Sequence, residues 1–232
     1  MFLDLHTHIL FDVDDGSKDL EMSIQMINYA IEQKISHIVL TPHVQSRATK
    51  APRDQMIKHY DLLVQKVNQL GLPVKLYLGA EVLYHTHLEP DYHALTFGKS
   101  NYILIEFSMR DEQPIEEIIY DISRMGFIPI VAHMERYPYA KLTDYIAVKR
   151  TGALIQVNTT SILGKDKTIK SKQMIKLIKE GYVDLIASDT HNLDKRPPNL
   201  MDCYTYLKKY IDKKTLDKIF FENTKSIIDA MS

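Results

Sequence analysis

The residues of this chain best suited to chemistry are imidazoles and carboxylates that recur just after short apolar runs. His6-Thr7-His8 follows the run 2–5, Thr41-Pro42-His43 follows 37–40, and Gly79-Ala80-Glu81 follows 74–78. Glu106 closes the run 102–105, His133 follows 128–132, and Ser188-Asp189-Thr190-His191 follows 183–187. Only the run 153–157, ending near Asn158, offers neither imidazole nor carboxylate. Side chains at i and i+2 of a strand point the same way, so His6 and His8 can share one ion, as can Asp189 and His191. Nitrogen and oxygen donors without thiolate suit manganese, iron or zinc and distinguish them poorly. A lone His-x-His is weak evidence. The recurrence of donors along the chain carries the reading, not any single residue.

The runs themselves are rich in Val, Ile and Leu, as strands buried on both faces of a parallel sheet are. Helical spacing lies between them. In 20–31, Met22, Met26, Tyr29 and Ala30 repeat at three and four residues, and Ser17 is the expected cap. The stretch 55–70 is stopped by Gly71 and Pro73, 115–125 by Gly126, and 171–180 by Gly181. This alternation predicts one α/β domain over 1–232, and seven βα units favour a barrel-like fold with its active site at the C-terminal ends of the strands. An open seven-stranded sheet fits the same pattern. No Gly-x-Gly-x-x-Gly follows the first strand and no Walker-type loop occurs, which removes the usual support for a nucleotide site.

Composition narrows the function classes. The 232 residues are 45% hydrophobic and 25% charged, ordinary for a globular protein, so disorder is not the expected state. A net charge of −1 lacks the basic excess of a protein that grips nucleic-acid phosphates. The single cysteine, Cys203, excludes an intrachain disulfide and a cysteine-cage zinc site. It lies in an apolar helical pattern, and Lys209 stands where a Cys-x5-Arg phosphatase loop would need arginine. No signal peptide and no long apolar span are visible, so membrane insertion is not expected and the cytoplasm is the default address. Asp12, Asp14 and Asp15, within DVDDGS, also suit an acidic helix N-terminus, a role that fits two of the three. His85 and His87 repeat the His-Thr-His pattern beyond Glu81 but lie outside the expected donor set. His37 is expected at the opposite end of its strand, with His59 and His93 exposed.

HTHILFDVDDGS, TPH, GAE, IEF, AHMERY and SDTHN followed by RPP resemble, in order and almost end to end, the polymerase-and-histidinol-phosphatase superfamily. The closer resemblance is to the manganese-dependent tyrosine phosphatases encoded with capsule and exopolysaccharide genes in Gram-positive bacteria. That resemblance implies a distorted (β/α)7 barrel and a trinuclear metal centre. Matched by motif, His6, His8, Glu81 and Asp189 would hold one ion. Glu81, Glu106 and His133 would hold a second, and Asp15, His43 and His191 a third. Asp15 is selected because the family's ligand is the acid directly before the glycine, here Gly16. The resemblance also selects Arg136 and Arg196 as phosphate-handling residues, and a phosphotyrosine protein, such as a bacterial tyrosine kinase, as partner. It implies manganese first, with iron and zinc as alternatives. A small-molecule phosphatase acting on histidinol phosphate, a metal-binding regulatory domain without catalysis and a proofreading-type nuclease module remain the competing readings. The segment 44–54 is less familiar and is expected to shape the substrate mouth.

Overall fold

The computed structural model describes residues 1–88, 90–166 and 168–231. Among the described residues nine strand segments carry the sheet: β1 (Phe2–Thr7), β2 (Ile35–Leu40), β3 (His43–Val44), β4 (Lys75–Leu78), β5 (Glu81–Leu83), β6 (Tyr102–Glu106), β7 (Ile128–Val131), β8 (Leu154–Asn158) and β9 (Leu185–Ala187). They run in two parallel arrays, β1-β2-β4 and β3-β5-β6-β7-β8-β9. The arrays are continuous in space. β3 resumes two residues after β2, β5 two residues after β4, and Gly79 N–H donates to Leu40 O at 2.9 Å across the break. At the far end, Asp189 N–H donates to His6 O at 2.9 Å and His8 N–H to Thr190 O at 2.8 Å. The sheet thus curls until the segment after β9 meets β1. The sequence pattern points to seven strands. The two extra segments arise because the strands break before His43 and Glu81, at Thr41-Pro42 and Gly79-Ala80. Pro42 lacks the N–H that a continuous ladder requires.

Helices cover the outside: α1 (Leu20–Glu32), α2 (Arg53–Gln69), α3 (Ile115–Arg124), α4 (Leu142–Arg150), α5 (Thr159–Ile162), α6 (Ser171–Lys179), α7 (Leu200–Leu207), α8 (Lys213–Asp217) and α9 (Asn223–Met231). α3 shows why these segments are helical. Ile115, Ile118, Ile119 and Ile122 are buried at helical spacing, Glu116 and Glu117 occupy the positive first turn, and Arg124 the negative last one. In α6, Met174, Ile175, Leu177 and Ile178 form the same kind of face. The expected bounds shift by one or two residues, as fraying ends do. The cap of α1 is corrected. Asp19, not Ser17, accepts from Met22 N–H at 2.8 Å, while the Ser17 hydroxyl donates to Asp19 O at 3.0 Å. A carboxylate one residue from the first turn outcompetes a hydroxyl three residues away. His59, expected to be exposed, is half-buried on α2, stacked on Phe11 at 4.4 Å between ring centroids.

Apolar packing falls into two layers. The larger lies between the sheet and its helices. The smaller fills the inside of the curl with Leu3, Leu5, Val39, Phe97, Leu104, Ile130 and Leu185, closed from below by Ile227 and Met231 of α9. Gly79 lies against this plug, and a Cβ there would stand 2.5 Å from Phe97 Cδ1. Because Phe97 is fully buried, it has no room to yield. Gly79→Ala is therefore expected to cost about 1–3 kcal/mol of stability through overpacking, read as a lowered midpoint in urea with an unchanged slope.

Candidate metal centre

The inside of the curl changes character with height. Val39, Tyr77, Leu104, Leu154 and Leu185 line its apolar lower part. At even spacing further along the same strand positions come His43, Glu81, Glu106, Gln156 with Asn158, and Asp189. Alternation thus carries the same inward face from apolar side chains to donors. Two places depart from it. Leu5 and His6 both face inward, where the pairing of β1 with β2 slips register between Asp4 and Thr7. His133 adopts φ 28°, ψ 52°, and Asp189 has φ 53°. His and Asp tolerate this left-handed region better than most residues, but it still costs energy and is typical of functional sites.

Glu81 is the hub. Its Oε2 has His43 Nδ1 at 3.0 Å and both His6 Nε2 and His8 Nε2 at 3.2 Å, while its Oε1 lies 2.8 Å from His133 Nε2. His6 Nε2 and His8 Nε2 are 3.3 Å apart. Asp189 Oδ1 lies 3.4 Å from each of those two nitrogens and 3.5 Å from His191 Nδ1. Asp15 Oδ1 stands 3.6 Å from His43 Nε2 and 3.4 Å from His191 Nε2. Glu106 approaches His43 Nδ1 at 3.7 Å and His133 Nε2 at 3.8 Å. These residues form four overlapping groups able to hold an ion: His8-Asp15-His43-His191, His6-His8-Glu81, His6-His133-Asp189 and His43-Glu81-Glu106. All nine donors expected from sequence thus lie together. His85 and His87 do not join them.

The donor set fits cations. Glu81 Oε2, His43 Nδ1, His133 Nδ1 and His191 Nε2 are buried without a hydrogen-bond partner, a costly state for polar atoms unless something else satisfies them. Donors bound about 2.1 Å from one ion, at octahedral to tetrahedral angles, lie about 3.0–3.4 Å apart, matching the spacing around Glu81 Oε2.

A layer the sequence reading missed orients these donors. His8 Nδ1 donates to Asp14 Oδ2 at 2.7 Å, and Asp14 also accepts from Gly16 N–H at 2.9 Å and His43 N–H at 3.1 Å. Gly16 is required there, since a Cβ would stand 2.1 Å from His8 O. On β8, the run with no donor of its own, Gln156 Oε1 accepts from His133 N–H at 2.9 Å and from His6 Nδ1 at 3.1 Å. A backbone N–H can only donate, which sets the direction of the whole chain. Gln156 Nε2 donates to Asn158 Oδ1 at 2.8 Å, and Asn158 Nδ2 donates to Asp189 Oδ2 at 2.7 Å. His191 Nδ1 donates to Asp189 O at 3.0 Å. His6, His8 and His191 each therefore anchor Nδ1 and present a free Nε2, the arrangement that readies imidazole for a metal. The sequence signal was available: Gln156 and Asn158 stand at i and i+2 on the inward face.

Charge is unevenly shared. Burial, then the charge of Glu81, pushes the Glu106 carboxyl up to about 8. Burial would also raise Asp189, but Arg196 and the imidazoles outweigh it and hold the group well below the usual carboxylate range. Arg196 contacts Asp189 Oδ2 directly and Arg136 Nη1 lies 3.5 Å from it, their side chains about a third exposed at 32% and 30%. Both arginines thus stand at the mouth, joined to the centre through one carboxylate.

Residues 2–229 match the family model described as capsular polysaccharide synthesis, CpsB/CapC, and the chain belongs to that family. It is 31% identical over 97% of its length, and 98% of the relative's, to tyrosine-protein phosphatase CpsB of Streptococcus agalactiae. It is 30% identical to tyrosine-protein phosphatase YwqE of Bacillus subtilis over 89% of this chain and 84% of that one. Its fold matches a solved structure from work on YwqE of Bacillus subtilis and CpsB of Streptococcus pneumoniae, described as unique metal-dependent tyrosine phosphatases. That match has a TM-score of 0.84 and 26% identity, and covers 99% of this chain and 94% of the other.

Two outcomes are expected. Below about pH 8 the Glu106 carboxyl keeps its proton in ion-free protein, so adding manganese at pH 7 should release protons, and affinity should fall as pH drops from 8 to 6. Calorimetry in buffers of different ionisation enthalpy measures this. Gln156→Leu, which unties His6 from His133, should weaken metal binding by about 10–100-fold with little change in circular dichroism.

Proposed function

We propose that this chain is a metal-dependent protein-tyrosine phosphatase, a (β/α)7 barrel that removes phosphate from phosphotyrosine on a bacterial tyrosine kinase serving capsule or exopolysaccharide synthesis. The observation that carries this reading is the overlap of nine donors, Glu81 at their hub, with two arginines beside them, in a CpsB/CapC chain. Counting β2 with β3 and β4 with β5 as interrupted single strands supports the seven-stranded description. Among the described residues no helix is long and apolar enough to cross a membrane, which accords with action in the cytoplasm.

His6, His8, Glu81 and Asp189 would hold one divalent ion, Glu81, Glu106 and His133 a second, and Asp15, His43 and His191 a third, with manganese the first choice. Such ions supply Lewis acidity and lower the pKa of water enough for hydrolysis at neutral pH. The chain's own residues do the rest. Arg136 and Arg196 take the phosphate oxygens in bidentate contacts and neutralise charge that grows in the transition state, a geometry lysine does not reproduce. Asp189 holds both guanidinium groups at the mouth. No thiol takes part. Cys203 is fully buried on α7, and burial pushes its pKa up.

The mouth favours a polypeptide over a small metabolite. A groove of about 930 Å³ runs from Glu106 between the segments 45–47, 83–88 and 107–113. Arg47, His85, Thr86, His87, Arg110 and Asp111 along it are exposed, so a phosphotyrosine can enter with its chain attached. The residues 45–47 form part of that wall, where His85 Nε2 donates to Gln45 O at 2.8 Å.

The test is phosphate release by ion-stripped protein with and without manganese. Release should depend on the ion and favour a phosphotyrosine peptide over a phosphoserine peptide and histidinol phosphate. Preference for histidinol phosphate would move the function to metabolism, and no release from any ester would support a nucleic-acid or regulatory role. His6→Ala and Glu106→Ala should lower kcat by at least about 100-fold, and Arg136→Lys should lower kcat/KM by roughly 10–100-fold. Cys203→Ser should retain turnover within about two-fold, since a buried thiol contributes no nucleophile.

A further inference from the structure

A second depression adjoins the mouth on the side away from the groove. It is lined by Arg136, Asn158, Thr160, Lys165, Asp166, Asp189, Lys195 and Arg196 and has a volume of about 180 Å³. Its charge is one-sided. Four cationic side chains face two carboxylates, of which Asp189 is shared between Arg136 and Arg196, leaving the two lysines over. Asp189 turns to the imidazoles and arginines already described, and Asp166 Oδ1 accepts from Thr168 N–H at 2.9 Å and Thr168 Oγ1 at 2.6 Å. Lys165 and Lys195 are exposed and, among the described residues, enter no ion pair within 4.0 Å.

The backbone that carries these lysines is ordered by its own hydrogen bonds. Asn192 Oδ1 accepts from the N–H groups of Asp194, Lys195 and Arg196 at 3.2, 2.7 and 3.1 Å. Arg196 O in turn accepts from His191 N–H at 3.0 Å and Thr190 Oγ1 at 2.7 Å, locking this turn to the strand end that presents Asp189 and His191. Across the depression, Lys165 N–H donates to Thr160 O at 2.9 Å, directly after α5. The backbone that carries the two lysines is thus fixed, while their exposed side chains enter no ion pair among the described residues.

We propose that Lys165 and Lys195 form a subsite for a second anionic group on the substrate chain, flanking the phosphotyrosine that is hydrolysed. It rests on the phosphatase reading and deepens it by naming what the substrate carries beside its scissile ester. Arg136 and Arg196 serve the reacting phosphate, while the outer lysines, compact charges on flexible stems, take a neighbouring carboxylate or a second phosphate without demanding one geometry. Acidic and multiply phosphorylated segments are therefore the preferred substrates over neutral ones.

The experiment compares kcat/KM for three phosphotyrosine peptides that differ only beside the phosphotyrosine. One carries glutamate, one a second phosphotyrosine and one glutamine. For manganese-loaded wild type, each anionic peptide should exceed the glutamine peptide by about three- to ten-fold, the range for two partly exposed ion pairs. The ratio should fall toward one as salt rises from 50 to 500 mM. The double variant Lys165→Met, Lys195→Met should lose the ratio, and Lys165→Arg, Lys195→Arg should restore it. Because the ratio is taken within one protein, any common effect on chemistry or folding cancels. A ratio near one in wild type, or a ratio that survives the methionine substitutions, overturns the subsite while leaving the phosphatase reading standing. The difference between the glutamate and phosphotyrosine peptides tells which anion the subsite prefers. Failure of wild type to release phosphate from all three peptides overturns the underlying function as well.

Discussion

Everything in this molecule answers to the crowding of donors around one buried carboxylate. Three imidazole nitrogens stand within 3.2 Å of Glu81 Oε2 without hydrogen-bonding it. Such a cluster cannot be stabilised by protonation alone. Charging the imidazoles would set like charges against one another at about 3 Å, and leaving them neutral would strand the carboxylate in a low-dielectric interior. Multivalent cations resolve both problems at once. The left-handed backbone at His133 and Asp189 is strain of the kind that gathers at functional sites.

The fold can be understood as the means of producing that crowding. A parallel sheet directs all its C-terminal ends to one side, and curling it brings ends distant in sequence, such as His6 and Asp189, to within 3.4 Å. Below them the apolar plug of Phe97, Leu104 and α9 excludes water from the base of the centre. The interruptions at Thr41-Pro42 and Gly79-Ala80 belong to the same design. They turn the short segments β3 and β5 so that His43 and Glu81 pair directly across the ladder.

Much of this was legible in the sequence. Apolar runs marked the strands, and the donors following them marked the face on which the site would assemble, because period-two alternation and parallel connectivity are local rules with global consequences. What escaped were features that exist only between segments. β3 and β5 are too short for a periodic signal. Asp14 was indistinguishable from its acidic neighbours until its contact with His8 was seen. Gln156 and Asn158 carry no charge and match no metal-ligand pattern, so their part became visible only when the sixth inward strand position was found beside His6 and Asp189. Ser17 lost the cap of α1 to Asp19, which stands next to the first turn, and the Ser17 oxygen instead accepts from the Ser23 hydroxyl at 2.9 Å.

The burial of Cys203 has a further consequence. Phosphatases that attack through a thiolate are silenced by peroxide and alkylating agents, because the reactive sulfur must be both ionised and accessible. Here the only sulfhydryl is sealed between α7 and the sheet and held in its protonated form, and every donor at the centre is nitrogen or oxygen. Dephosphorylation by such a centre has no sulfur to oxidise. An oxidative burst that stops thiol-dependent signalling would therefore leave this side of a phosphorylation cycle without a thiol-based off switch.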